Sequence, residues 1–144
     1  MANKFIIQKA HWNSDQVQLI NVRTQVFVEE QQVPRDIEID GKDAECSHVK
    51  ALNLDGEVIG TARLLPTNYI GRMCVLKAYR HLGIGAEMLS YFINYARQNH
   101  IPSLRLNAQI SAIAFYQKYG FICDSEVFIE ADIEHIHMTL SLAD

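Results

Sequence analysis

Arg80-His81-Leu82-Gly83-Ile84-Gly85 lies between a short apolar run, Tyr69 to Leu76, and a long amphipathic segment, Ala86 to Gln98. A strand, a glycine-bearing turn and a helix start, in that order, make an anion cradle. Glycine lets the backbone pass close to a ligand. The first helical N–H groups then point outward at the positive end of the helix dipole. A pyrophosphate fits such a site. The turn lacks the Gly-Lys-Ser/Thr of a P-loop, and its glycines are too few for a dinucleotide fingerprint. The surrounding chain must say which pyrophosphate it takes.

On the C-terminal side, Met88, Leu89, Phe92, Ile93 and Ala96 recur at helical spacing, and Asn99-His100 followed by Pro102 marks the end. Leu104 to Gln109 reads as a strand. Ser111 caps a short helix over Ala112 to Tyr119, which Gly120 terminates. Val127 to Ile129 and His135 to Leu142 close the chain as strands. On the N-terminal side, Lys4 to Ala10 reads as the first strand. Asn13 and Ser14 cap a helix running to about Glu29, with Val17, Ile20, Arg23, Val26 and Phe27 near one face. Gln31 to Cys46 is polar and reads as loop. Ser47 to Leu54 and Glu57 to Leu65 are strands joined at Asp55-Gly56, a two-residue hairpin signal. The order β-α-β-β-β-α-β-α-β-β predicts an α/β chain of the α+β type, with a mixed sheet and helices on its faces.

A chain of 144 residues favours one domain, here the whole of 1–144. Its hydrophobic share of 49% and charged share of 21% are those of a globular protein. A net charge of −4 argues against a broad basic surface for nucleic acid. The start, Met1-Ala2-Asn3-Lys4, carries no apolar signal core. No run approaches the roughly 20 apolar residues of a membrane helix. The expectation is a cytoplasmic protein without membrane or nucleic-acid partners. Cys46, Cys74 and Cys123 form no C-x-x-C pair and read as reduced thiols.

Three segments together resemble the GNAT superfamily of N-acetyltransferases. They are Ile70-Gly71-Arg72-Met73-Cys74-Val75, Arg80-x-x-Gly83-x-Gly85, and Ala112-x-x-Phe115-Tyr116-x-x-Tyr119-Gly120-Phe121. Arg23-x-x-Val26-Phe27-Val28-x-Glu30-Gln31, and Asp40-x-x-Asp43 before His48, resemble the small bacterial ElaA-like branch. The resemblance implies a mostly antiparallel central sheet, acetyl-CoA as cosubstrate, and a primary amine of a small molecule or peptide as acceptor. It implies that the backbone of Arg80, His81, Leu82, Gly83, Ile84 and Gly85 holds the pyrophosphate. The strand edge at Met73, Cys74 and Val75 would take the pantetheine arm, with Asn107 and Ala112 bordering the thioester. Tyr116 matches the family's general acid.

The chemistry has its own demands. The acceptor ammonium must lose a proton, the developing oxyanion needs a donor, and the departing thiolate needs a proton. A backbone N–H near Cys74 or Val75 can serve the oxyanion, and Tyr116 the thiolate. Cys74 invites an acetyl-cysteine route, but nothing local supplies it a base, and it reads as a buried small hydrophobe. Base candidates are Glu29, Glu30, Glu38, His48, His135 and His137. Glu30, Glu38, Arg72 and His135 are candidate acceptor-binding residues. Arg63 and Arg72 read either as substrate anchors or as outward-facing residues. His135-x-His137 has metal-binding spacing but no third ligand, so no metal is expected. Seven acidic residues between Glu29 and Glu45 form either a solvated loop or a surface that draws in a cationic amine. The closing strands offer an edge for a homodimer. A non-catalytic acyl-CoA-binding sensor on the same fold is the alternative function.

Overall fold

The computed structural model describes residues 4–142; Met1–Asn3, of the start expected to carry no apolar signal core, and the last two residues of the expected 1–144 domain lie outside the described residues. The chain runs β1 (Phe5–Ala10), α1 (Trp12–Arg23) with a wide helical continuation (Thr24–Glu30), α2 (Arg35–Glu38), a tight turn (Asp43–Glu45), β2 (Ser47–Asn53), β3 (Val58–Leu64) and β4 (Ile70–Val75). Then come α3 (Ile84–Gln98), β5 (Ser103–Gln109), α4 (Ile113–Gln117), β6 (Ile122–Cys123), β7 (Phe128–Glu130) and β8 (Ile133–Ser141). The α+β class with a mostly antiparallel sheet is what the structure shows. Strands β1-β2-β3-β4 form one antiparallel sheet, and β5, β8, β6 and β7 form a second.

Among the described residues, backbone pairing between the two sheets is one isolated parallel bridge, Tyr69 to Arg105, where Arg105 N–H donates to the Asn68 carbonyl at 3.0 Å. Beyond it β4 and β5 diverge. The divergence begins at a bulge. Thr61 pairs with Cys74 and Arg63 with Gly71, so Arg72 and Met73 together oppose Ala62, and Arg72 takes a φ of 49°. The extra residue bends β4 and leaves its edge over residues 70–75 without a neighbouring strand.

The two helix faces follow from periodicity. Helix α3 buries Ile84, Met88, Leu89, Phe92 and Ala96 beneath the sheet, against Val49, Ile59, Leu104, Leu106 and Met138. Each of the larger of these side chains contributes about 1.5–3 kcal/mol of burial. Helix α1 and its wide continuation cover the opposite face, with Val22 and Val26 against Cys74. Among the described residues, no helix is long and apolar enough to cross a membrane.

Several local expectations are corrected. Helix α1 begins at Trp12, so Asn13 and Ser14 lie inside it. His11 is the cap position, and its N–H donates to the Asp15 carboxylate at 2.8 Å. Val17 is 78% exposed, because Leu19, Val22 and Arg23 set the buried stripe instead. Ser111 caps nothing; a tight turn, Ile110–Ala112, leads into α4. Four residues, Leu54 to Glu57, separate β2 from β3, and Asn53 N–H donates to the Glu57 carbonyl at 2.9 Å with Gly56 at a φ of 80°. Strand β8 lies inside its sheet, between β5 on one side and β6 and β7 on the other, so of the two closing strands only β7 remains at an edge.

Candidate active site

The predicted cradle forms as a turn with two left-handed residues, His81 at a φ of 67° and Gly83 at 89°. The first backbone bond of α3 runs from Glu87 N–H to Gly83 C=O at 3.1 Å. The N–H groups of Ile84, Gly85 and Ala86 therefore end the helix without intrahelical partners. They open on a depression of about 280 Å3 lined by Val75, Tyr79, Arg80, His81, Gly83, Ile84, Gly85, Ala86 and Phe115. A Cβ on Gly85 would meet only the Phe115 ring, at 3.8 Å, and one on Gly83 would meet nothing. Space at Gly85 is thus left open by the protein itself. His81 and Leu82 are exposed, while the Ile84 side chain turns into the core.

Arg80 is engaged from both sides. Its Nε donates to the Val75 carbonyl at 2.9 Å, and Nη1 and Nη2 each donate to a Glu30 carboxylate oxygen at 2.6 Å. Those bonds hold the Glu30 carboxyl below its usual range. Glu30, expected near the acceptor, belongs to the cradle instead. The wide helical continuation of α1 carries it there.

A larger cleft of about 650 Å3 opens where β4 and β5 part. Met73, Asn107, Ala112, Tyr116, Arg72, Glu38 and His135 all line it. Cleft and depression are lined by the same two elements. Phe115 lines the depression and Tyr116 the cleft, while Val75 lines the depression and Met73 the cleft. Strand β4 and helix α4 thus form the passage between the two. The Tyr116 hydroxyl donates to the Met73 sulfur at 3.9 Å, and its ring meets Phe115 and Phe121 edge-on. Burial pushes the Tyr116 phenol up to about 12. Cys74 points the other way, into the cluster with Val22 and Val26, and burial pushes its thiol up to about 12.

The acidic stretch is neither a solvated loop nor an open steering surface at its key positions. Arg23, 1% exposed, donates through Nε and Nη2 to Glu38 and through Nη1 and Nη2 to Asp43. Arg63 donates to Asp40 at 2.6 and 3.0 Å and to Asp43 at 2.9 Å. Arg72 donates to the carbonyls of Ile37 and Glu38 at 3.1 Å and lies 3.4 Å from Asp40. Arg63 and Arg72 are thus neither free anchors nor outward-facing; they clamp residues 37–43 over the cleft. Burial alone would raise the Asp40 and Asp43 carboxyls, but the arginine bonds and charges outweigh it and hold both below the usual range.

The histidines separate. His48 is buried, stacked 5.0 Å from Trp12, with Nε2 bonded to the Asp43 carbonyl, away from the cleft. His137 bonds Asp124 through Nδ1 and the Tyr69 hydroxyl through Nε2, the latter at 2.9 Å. His135 lines the cleft opposite Gln109, with Nδ1 bonded to the Ile133 carbonyl at 2.7 Å. Sequence reasoning missed Tyr69, Gln109 and Glu130, which also line the cleft. Period-two alternation placed Asn107 and Gln109 on one face, but only the β5–β8 register joins that face to His135 and His137.

The sequence model of the acetyltransferase (GNAT) domain matches residues 11–142. The uncharacterised N-acetyltransferase YjcF of Bacillus subtilis is 35% identical over 122 residues, covering 81% of this chain and 86% of its own. An acyl-CoA N-acyltransferase from Pseudomonas aeruginosa superposes with a TM-score of 0.84 at 31% identity, over 95% of this chain and 99% of that one. Escherichia coli ElaA superposes with a TM-score of 0.84 at 29% identity, again over 95% and 99%.

Proposed function

Because this chain belongs to the acetyltransferase (GNAT) family, we propose that it moves an acetyl group from acetyl-CoA directly to a primary amine of a small molecule or peptide, with Tyr116 as general acid. Bound acetyl-CoA supplies the acetyl group and leaves as its thiol. The N–H groups at the start of α3 and the open space at Gly85 suit the pyrophosphate. The unpaired edge of β4 at Met73, Cys74 and Val75 suits an amide-bearing arm that adds like a strand. Asn107 and Ala112 border the end of that arm in the cleft.

The observation that carries the reading is the shared passage. Tyr116 and Met73 line the cleft, while Phe115, next to Tyr116, and Val75, two residues on from Met73, line the cradle. A ligand anchored by phosphate in the depression thereby presents its far end beside the Tyr116 hydroxyl. That phenol, at about 12, lies above a thiol's usual value of about 8.5. It keeps its proton through the approach, hydrogen-bonds the sulfur as negative charge develops there, and gives that proton to the sulfur as the carbon–sulfur bond breaks, so that CoA leaves as its thiol. A backbone N–H near Cys74 or Val75 serves the carbonyl oxygen.

The other reading, an acyl-CoA sensor, has no use for a hydroxyl at that point. A thiol-release assay over a panel of amines separates the two. Turnover with at least one amine is expected. Binding of acetyl-CoA without thiol release for any amine would sink the transferase reading.

A further inference from the structure

We propose that His135 is the general base that takes the acceptor's proton; this rests on the acetyl-transfer reading above. The geometry that carries it is a ring with one nitrogen committed and one left to the cleft. A carbonyl oxygen can only accept, so the 2.7 Å contact between Nδ1 and the Ile133 carbonyl requires a proton on Nδ1. In the neutral ring Nε2 is then a bare lone pair. Nε2 makes no hydrogen bond among the described residues, and it is not sealed from solvent. His135 is 8% exposed, and the opening it has is the cleft. Phe128 stacks on the ring at 6.0 Å, which fixes its plane.

Position supports the role. Gln109, the register partner of His135, ends β5, and the chain passes from there through Ala112 into α4 and Tyr116. The base and the proposed acid thus line the same cleft from its two sides. Of the charged or titratable groups on the strands around the ring, Glu130 of β7 also lines the cleft and His137 of β8 lies two residues on along the same face, while Arg105 of β5 and Glu134 of β8 do not line the cleft. Gln109 and Asn107 of β5 add no charge.

The other candidate bases are committed elsewhere. Glu38 is taken by Arg23, Glu30 by Arg80, and His48 by the Asp43 carbonyl. His137 uses both ring nitrogens, on Asp124 and Tyr69. Glu29 is exposed and does not line the cleft.

The step balances. One N–H bond of the acceptor's ammonium breaks and its electron pair stays on nitrogen as the attacking lone pair. The proton forms a new bond to His135 Nε2, directly or across a water of the cleft, and the ring becomes an imidazolium. Net charge is unchanged.

The test compares wild type with His135→Gln using two acceptors. One is an alkylamine, protonated at the assay pH; the other is a hydrazide, already neutral. With the alkylamine, kcat should fall about 100- to 10,000-fold. With the hydrazide it should fall by less than about tenfold, and the KM for acetyl-CoA should not move. Equal losses with both acceptors, or no loss with either, would overturn the assignment. Nitrogen-15 NMR of the wild-type ring gives a check that needs no turnover. A protonated Nδ1 and a bare Nε2 in the neutral ring are expected, and the reverse tautomer overturns the proposal. If the wild-type protein turns over no amine at all, the transferase reading fails and the base with it; turnover indifferent to His135 removes the base alone.

Discussion

Arg80 and Glu30 are joined by two hydrogen bonds of 2.6 Å, which tie the cradle to the end of the helix on the opposite face of the sheet. Any phosphate that recruits Arg80 must compete with that carboxylate. Glu30→Gln should therefore tighten acetyl-CoA binding, by no more than about two- to fivefold, the scale of a partly exposed ion pair. Calorimetry at low salt measures it. Weaker binding would mean that Glu30 positions Arg80 for the ligand instead of competing for it.

Tyr116→Phe keeps the ring contacts with Phe115 and Phe121 and removes only the hydroxyl. A general acid typically contributes about 100- to 10,000-fold, so kcat should fall by at least tenfold and toward the middle of that range. Acetyl-CoA affinity should hold. Steady-state thiol release with unchanged kcat would remove Tyr116 from the chemistry.

Gly85→Val separates space for the protein from space for a ligand. The added Cβ would meet only the Phe115 ring at 3.8 Å, so the melting temperature should shift little. The branched side chain would fill the depression beside the free N–H groups, and acetyl-CoA affinity should fall at least tenfold. Equal affinity by calorimetry would place the pyrophosphate elsewhere.

Cys74→Ala should leave turnover unchanged. Burial holds the thiol up at about 12, far from the thiolate an acyl-enzyme route requires. The side chain packs on Val22 and Val26, away from Tyr116. Loss of activity in a variant that still melts cooperatively would revive the acyl-cysteine route.

Acid should destabilise the protein through the clamp on residues 37–43. Asp40 and Asp43 have folded-state carboxyls held below the usual value, because arginine bonds and charges outweigh burial. A depressed folded value stabilises the protein above the unfolded value, about 3.9, and that contribution fades as pH falls through the folded value. Thermal melts should therefore decline below about pH 4. Asp40→Asn should melt lower at pH 7 and show a flatter decline on acidification. A parallel decline in both proteins would exclude Asp40 as a source.

The cradle was legible because its parts are neighbours in the chain. A glycine with a positive φ, a free helix end and the apolar stripe of α3 depend on contacts within a few residues. The helix starts were misread for a related reason. Asn13, Ser14 and Ser111 are all good caps, and competing local bonds chose the boundary. At α1 the His11 N–H to Asp15 bond did so. At α4 a tight turn, Ile110–Ala112, intervened.

Residues 31–46 were misread for a different reason. Their polar composition predicts loop, yet Glu38 and Asp43 are buried against Arg23, which lies 15 and 20 positions away. Burying a carboxylate is favourable only beside a specific cation, and no local pattern announces which cation that is. The bulge at Arg72 and Met73, which parts β4 from β5, likewise emerges only from the pairing with β3.

By itself the sequence determined the order of the main strands and helices, though not α2 or β6, together with the cradle and the segment carrying Tyr116, since each is encoded by short-range periodicity and turn chemistry. Tertiary structure alone decided that Glu30 belongs to Arg80, that three arginines pair with Glu38, Asp40 and Asp43 of the acidic stretch, and that His135 faces the cleft while His48 does not. Those assignments depend on which distant side chains share a strand register or a buried volume, and such distances are set only when the two sheets and their covering helices pack.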